Sequence, residues 1–279
     1  MNVSLHSPPR KISSSFFCLA ILGIGLAVYA NSLNGGFKWD DHHLVEENRS
    51  IRTWHHTFQN FTRPLKQFPT YYRPTQMLSY QCDYLLWGSH PTGYHLSNLL
   101  LHLINALLFF FLLNLALQNR HAAFWGALLF CCHPALSEPV NYISSRSDLL
   151  VGTFTLLTMI FAFKRYLILA MISFALSLLS KEIALVTPFV LLAWQGVSTK
   201  NIKKTAPFFL IALLFLLLRR AIIPPGPTTH LPVWVLFSAP YAFMKYLLAL
   251  AYPQEVAKTW SIPLVTSLSQ KEFLLPLLG

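Results

Sequence analysis

Long intervals without a single Asp, Glu, Lys or Arg recur along this chain, over residues 12–37, 84–119, 121–137, 149–163, 166–180, 183–199, 206–218 and 221–244. A helix needs about 20 mainly apolar residues to cross a bilayer, and lipid satisfies no exposed backbone polar group. These intervals therefore confine the chain to helices in a membrane. The shorter ones end in Lys or Arg, whose stems reach outward and lengthen the usable span. Span cores are expected at residues 16–33, 95–117, 122–139, 149–163, 166–179, 183–195 and 207–218. After Pro232 the pattern blurs, because Pro240 and Lys245 interrupt the apolar stretch. The expected fold is all-α, a polytopic membrane helical bundle of about seven to nine spans, with one large outer loop over residues 34–93.

Composition narrows the class further. Charged residues make up 11% of the chain and apolar residues 54%, whereas an average soluble domain is roughly 25% charged. So few charges cannot coat a globule, which excludes a soluble domain and a disordered tail. The 21 Lys and Arg exceed the 10 Asp and Glu, but they punctuate apolar blocks and do not gather on one soluble face, so nucleic acid is not the expected partner. The four cysteines, Cys18, Cys82, Cys131 and Cys132, show no metal-ligand spacing and read as small hydrophobes. That argues against a disulfide scaffold. Residues 1–279 read as a single transmembrane domain. Its last stretch, Lys271 to Gly279, looks like the start of another apolar segment, so the domain is expected to be incomplete at its C-terminus.

Orientation follows from the short connections. With the N-terminus inside, the cytoplasmic side holds Arg10, Lys11, Arg120, Lys164, Arg165, Lys200, Lys203 and Lys204 and no acid. The outer side takes Asp40, Asp41, Glu46, Glu47, Asp83, Glu138, Asp148 and Glu182. Excess cytoplasmic Lys and Arg set the N-in topology. Reading the first span as a signal peptide, cut after Ala30, leaves the large loop on the same side.

Ionisable groups at membrane depth are candidates for function. The first cluster, WDDHHLVEEN (residues 39–48), places Asp40 and Asp41 just after the first span. Two adjacent carboxylates there can supply a general base and a partner that orients it or binds a metal; a solvated loop start explains them as well. The second, HPALSEPVNYISSRSD (residues 133–148), brings His133, Glu138, Arg146 and Asp148 to the same side. Ser147 or Asp148 also suits a helix N-cap. His95, Asn98, His102 and Asn105 recur at helical spacing as a polar stripe, suited to interhelical hydrogen bonds or to a wet cavity. Lys181 with Glu182, Arg219 with Arg220, and Arg73 within the YYRP segment (residues 71–74) place cations on the outer side. They can neutralise a phosphate or simply anchor helix ends.

Together, WDDHHLVEEN, YYRPTQMLSYQCDYLLWG, GYHLSNLLLHLINALL, HPALSEPVNYISSRSDLL and LSKEIALVTPFVLL resemble, in order, the membrane half of the transmembrane O-mannosyltransferases that carry tetratricopeptide repeats, and their bacterial relatives. The resemblance implies an integral-membrane glycosyltransferase of the GT-C type. It implies an outer-face acidic pair at Asp40 and Asp41, a second-loop motif at His133, Pro134, Glu138, Arg146 and Asp148, a Lys-Glu motif at Lys181 and Glu182, and a late-span arginine at Arg219. The repeats and later spans of that family are absent from this sequence. The implied donor is a polyprenyl-phosphate sugar, and the acceptor is a hydroxyl of a protein or glycan. The implied location is the bacterial inner membrane or the endoplasmic reticulum, among membrane lipids. Some members of the superfamily use a divalent metal and others do not, so no metal ligand is assigned. In the implied reaction an aspartate takes the acceptor proton, cations hold the departing phosphate and the anomeric centre inverts. The rival classes are a catalytically inert remnant of such an enzyme and a multi-pass transporter. A transporter would be expected to show internal symmetry, and none is visible.

Overall fold

The computed structural model describes residues 13–65, 68–223, 237–253 and 270. Among these residues every regular element is helical. Helix α1 (Ser14–Tyr29) starts at Ser13, whose hydroxyl accepts from the Ser15 N–H and so satisfies one donor that the first turn leaves free. It continues as a 3-10 turn, Ala30–Asn34.

The expected outer loop is folded. After a π-helical turn, His42–Glu46, and two 3-10 turns come α2 (Thr57–Thr62) and α3 (Pro74–Trp87). Leu44, Val45, Ile51, Met77 and Tyr80 form a small core here, closed by Tyr94 and Ile143 from the elements beneath. The segment is therefore a cap seated on helix ends.

Helix α4 (Pro91–Leu117) has 27 residues and is about 40 Å long at the usual helical rise. Proline at its first position loses no intrahelical bond, and Gln118, with φ of 51°, ends it. The Asn119 side chain then accepts from the N–H groups of His121 and Ala122 to start α5 (Arg120–Cys132). This helix stops well before residue 139, where the expected span ended. His133 is extended and Pro134 has no N–H to give, so the helix cannot propagate. The chain turns instead through Pro134–Leu136, α6 (Ser137–Asn141) and Ile143–Ser145. Next come α7 (Arg146–Phe163), α8 (Leu167–Ser180), a 3-10 turn Glu182–Val186, α9 (Thr187–Gln195), α10 (Thr199–Ile222) and α11 (Ala239–Ala251).

Each expected span core contains a helix. Four segments among the described residues are long and apolar enough to cross a membrane: Ser14–Asn34, Pro91–Leu117, Ile143–Phe163 and Asn201–Ile222. Leu167–Ser180 and Glu182–Gln195 are shorter apolar helices. Helix α11 falls in the blurred stretch after Pro232. Residues 224–236, 254–269 and 271–279 lie outside the described residues, as do Arg10 and Lys11.

Helix α4 is central and packs on α1, α3, α5 and α7. Lipid tails are as apolar as leucine, so helices associate in a membrane through close packing and hydrogen bonds. Both devices are present. A Cβ on Gly25 would clash with Leu103 Cδ2 and come within 2.8 Å of Cys131 Sγ, so glycine lets α1 approach α4 and α5 without displacing those side chains. The polar stripe of α4 is buried: Asn98 donates to the carbonyls of Pro139 and Tyr142, His102 to that of Cys131, and Asn105 to that of Leu149, while Asn105 also accepts from Thr153. Large apolar side chains point away from this interior, among them Trp125, Leu129 and Ile168, each at least 65% exposed. A surface of this kind suits lipid.

The bundle has two unlike ends. The cap, the 133–145 connection and the Lys181–Val186 turn meet at one end. The turns after α7 and α9 share the other end, with Arg165 and Lys204, and the connections there contain no acid.

Candidate active site

The polar residues of the capped end lie where α1, the cap and α7 converge. Asp41 is fully buried. One carboxylate oxygen accepts from both the N–H and the hydroxyl of Ser144, and the other accepts from the Lys38 N–H at 3.0 Å. Its oxygens thus clamp the segment after α1 to the 3-10 turn that opens α7. Beneath it, Gly35 passes over the buried His95, whose ring a Cβ at position 35 would meet at 2.5 Å.

Asp40 has the opposite environment. Its backbone N–H donates to the Tyr142 hydroxyl at 3.2 Å, which fixes the main chain. Its carboxylate is half-buried and has no hydrogen bond or ion pair among the described residues. Burial raises the Tyr142 hydroxyl pKa, which keeps that oxygen protonated. Just before Asp40, Trp39 adopts a left-handed backbone, with φ of 47°, and is 77% exposed. That conformation is costly for a bulky residue, and such strain concentrates at functional sites. The indole packs edge-on to Tyr142 with 5.6 Å between ring centres.

Arg146 is 1% exposed. Its guanidinium pairs with Asp83, donates to Asn98 at 2.7 Å and to the Tyr94 carbonyl at 2.9 Å, and lies over the Tyr80 ring. Burial raises the Asp83 pKa, while Arg146 and a hydrogen bond from Ser97 pull it down. Protein acceptors therefore occupy the Arg146 side chain, and it joins α3, α4 and α7.

The remaining cations form a partly open rim. Lys181 donates to both oxygens of Asp148, at 2.6 and 2.8 Å. An ammonium carries three donors, so one remains. Asp148 lies within the first turn of α7 and caps nothing, the cap position being Ser145. Arg73 stacks on Tyr71 at 4.3 Å, reaches the Ser147 hydroxyl at 3.4 Å and lies 3.6 Å from Glu182. Its Nε is buried and has no hydrogen-bond partner among the described residues. Arg219 is half-buried and donates to the Thr70 carbonyl at 3.2 Å. The 70–73 segment thus links Arg73 and Arg219, while Arg73 in turn meets the Lys181–Glu182 turn.

His133 and Glu138 form no hydrogen bond or ion pair with Asp40 or Asp41 among the described residues. The His133 ring accepts from the Ala135 N–H and donates to the Leu250 carbonyl, and exposed Glu138 accepts a 3.4 Å bond from Ser145. Among the described residues, no group of three or more His, Cys, Asp or Glu is placed to hold a metal. The site also includes residues that sequence reasoning passed over, namely Tyr142, Ser144, Gln76 and Asp83. Gln76 donates to the Ser144 carbonyl and to the Tyr80 hydroxyl. The one signal in the sequence was an acid, Asp83, and an arginine, Arg146, each beside an apolar run and in need of a partner.

Fold and site together define an all-α, membrane-associated helical protein with an acidic pair and a cationic rim beneath a folded cap. The chain is homologous, over part of its length, to the tetratricopeptide-repeat O-mannosyltransferases of the GT-C superfamily. It is 29% identical over 175 residues to Protein O-mannosyl-transferase TMTC4 of Homo sapiens, covering 55% of this chain and 24% of the relative. It is 31% identical over 144 residues to TMTC2 of Homo sapiens, covering 49% and 17%. Similarity to Tmtc1 of Drosophila melanogaster is 32% over 134 residues, covering 45% and 16%. The matched stretch thus spans a quarter or less of these relatives' own length. No family model matches the chain, and no solved structure does.

Proposed function

We propose that this chain carries the site of a membrane glycosyltransferase, moving a sugar from a polyprenyl-phosphate donor to a hydroxyl of a protein or glycan on the non-cytoplasmic face. Mannose is the sugar that the names of the relatives suggest. The observation that carries the reading is Asp40: its main chain is fixed by Tyr142, its neighbour Asp41 is locked, and its own carboxylate has no partner among the described residues.

In the reaction Asp40 takes the acceptor's proton as the acceptor oxygen attacks the anomeric carbon opposite the phosphate. The bond from that carbon to the phosphate oxygen breaks, its electron pair leaves with the phosphate, and the centre inverts. Negative charge grows on the leaving group, where fixed cations are worth most. Lys181, oriented by Asp148, supplies its third N–H. Arg73, set by Glu182, and Arg219, from α10, add positive charge beside it. Asp41 and Arg146 are positioning residues, and Glu182 sets the Arg73 guanidinium.

The test is transfer from a radiolabelled polyprenyl-phosphate mannose by membranes containing the full chain. A positioned general base contributes about 10²–10⁴ in rate, so Asp40→Asn is expected to lower transfer by at least about a hundredfold at unchanged protein level. Transfer by Asp40→Asn within a fewfold of wild type overturns the assignment, and absence of transfer by wild type overturns the activity.

A further inference from the structure

A cavity of about 570 Å³ lies at the end of the bundle opposite Asp40, bounded by α4, α7, α8, α9 and α10. Its depths are apolar, with Leu112, Met159 and Phe208 all buried. Its mouth is cationic and aromatic: Arg165, Lys204 and Trp194 line it and are exposed. Neither Arg165 nor Lys204 has an ion-pair partner among the described residues. The connections around them contain no acid, so the charge at the mouth is uncompensated. Asn201 donates to the carbonyls of Gln195 and Gly196, which holds the α9–α10 turn in place at the opening.

We propose that this cavity binds one anionic glycerophospholipid, with an acyl chain among Leu112, Met159 and Phe208 and the headgroup phosphate between Arg165 and Lys204. The two halves of the cavity match the two halves of that molecule. A small soluble anion would leave the apolar depths unfilled, and a zwitterionic lipid would set its own cation against the mouth. Basic pockets between helices at a membrane surface bind anionic headgroups in this way. The site is remote from Asp40 and does not depend on the proposed activity.

The experiment titrates the purified full chain in detergent with phosphatidylglycerol, phosphatidylcholine and tail-less glycerol phosphate, and reads bound adducts by native mass spectrometry. Wild type is expected to keep one phosphatidylglycerol against excess phosphatidylcholine, with glycerol phosphate failing to displace it. Each cation contributes a charge-assisted contact to the headgroup phosphate, so R165Q/K204Q is expected to lower retention by more than about tenfold. Ala162 lines the cavity, and A162W should abolish retention by filling it. R120Q, which removes a charge outside the cavity lining, should change nothing. Arg165 has a left-handed backbone, with φ of 64°, so R165G deletes the charge while relaxing the turn. It should weaken lipid retention, by less than R165Q/K204Q does, without losing thermal stability, which separates lost binding from misfolding. Equal retention of phosphatidylcholine, displacement by glycerol phosphate, undiminished adduct in R165Q/K204Q, or loss in R120Q each overturns the proposal.

Discussion

Asp40 and Asp41 are adjacent in sequence, and the fold gives them opposite tasks. The Asp41 carboxylate accepts three hydrogen bonds in a buried site, and bonds to a charged acceptor are worth about 1.5–3 kcal/mol each. An amide at position 41 would turn an N–H toward a donor and leave a buried group unpaired. Asp41→Asn is therefore expected to lower stability by about 3 kcal/mol and to lose transfer as a consequence. Asp40→Asn, with no bond to lose, should stay within about 0.5 kcal/mol of wild type while losing transfer directly. Unfolding in detergent measured beside transfer separates the two; a stable Asp41→Asn with an unstable Asp40→Asn would reverse the roles. This division was not legible in the sequence. Two neighbouring aspartates carry the same signal, and what separates them is Ser144 and Tyr142, about a hundred residues further along the chain.

At the scale of elements, what could be read in advance depended on how each helix uses its faces. Charge-free runs marked α1, α4, α7 and α10, because a lipid-facing helix must be apolar nearly all round. The polar stripe of α4 was equally legible, since buried amides need partners. Helix α3 was not, and its composition explains why. Beside Met77 and Tyr80 it buries Thr75, Gln76, Gln81 and Asp83 while exposing Leu85 and Leu86, which blurs the usual amphipathic pattern. It is held by polar bonds, chiefly Asp83 to Arg146 and Gln76 to Ser144. Removing one member of a buried ion pair leaves an unpaired charge and costs about 3–5 kcal/mol, whereas replacing both with apolar residues is often near neutral. Arg146→Met should thus destabilise the protein by about 3–5 kcal/mol, and adding Asp83→Leu should recover most of the loss. A double-mutant cycle in detergent unfolding checks this, and additive losses would show that the pair does not hold α3 down. A smaller effect is expected at the stripe. Asn105→Ala removes the bonds to Leu149 and Thr153 and should cost about 0.6–1.7 kcal/mol, the range of interhelical hydrogen bonds in a membrane.

For the whole molecule, the sorting of charge by side can be tested without any assumption about chemistry. The acids from Asp40 to Glu182 collect at the capped end, and the acid-free connections carry Lys164 and Arg165 at the other. Positive connections tend to stay in the cytoplasm because translocating them is disfavoured, so the cap is expected on the opposite, non-cytoplasmic side. The chain carries its own probe. Cys82 is exposed on α3, while Cys131 is buried and Cys18 and Cys132 are only partly accessible among apolar helices. A thiol labels through its thiolate, so an exposed cysteine is open to the reagent while a buried one is shielded. In sealed vesicles of known orientation, a membrane-impermeant maleimide should label wild type at Cys82 from the non-cytoplasmic face alone, and Cys82→Ser should abolish that label. Lys164→Cys in the Cys82→Ser background should react from the opposite face alone. Label from the same face at both positions would contradict helices that run end to end between a capped and a basic side. Label at Cys82 from the cytoplasm, with Lys164→Cys reacting outside, would keep the fold and invert it, setting Asp40, Lys181 and Arg73 against the cytoplasmic leaflet.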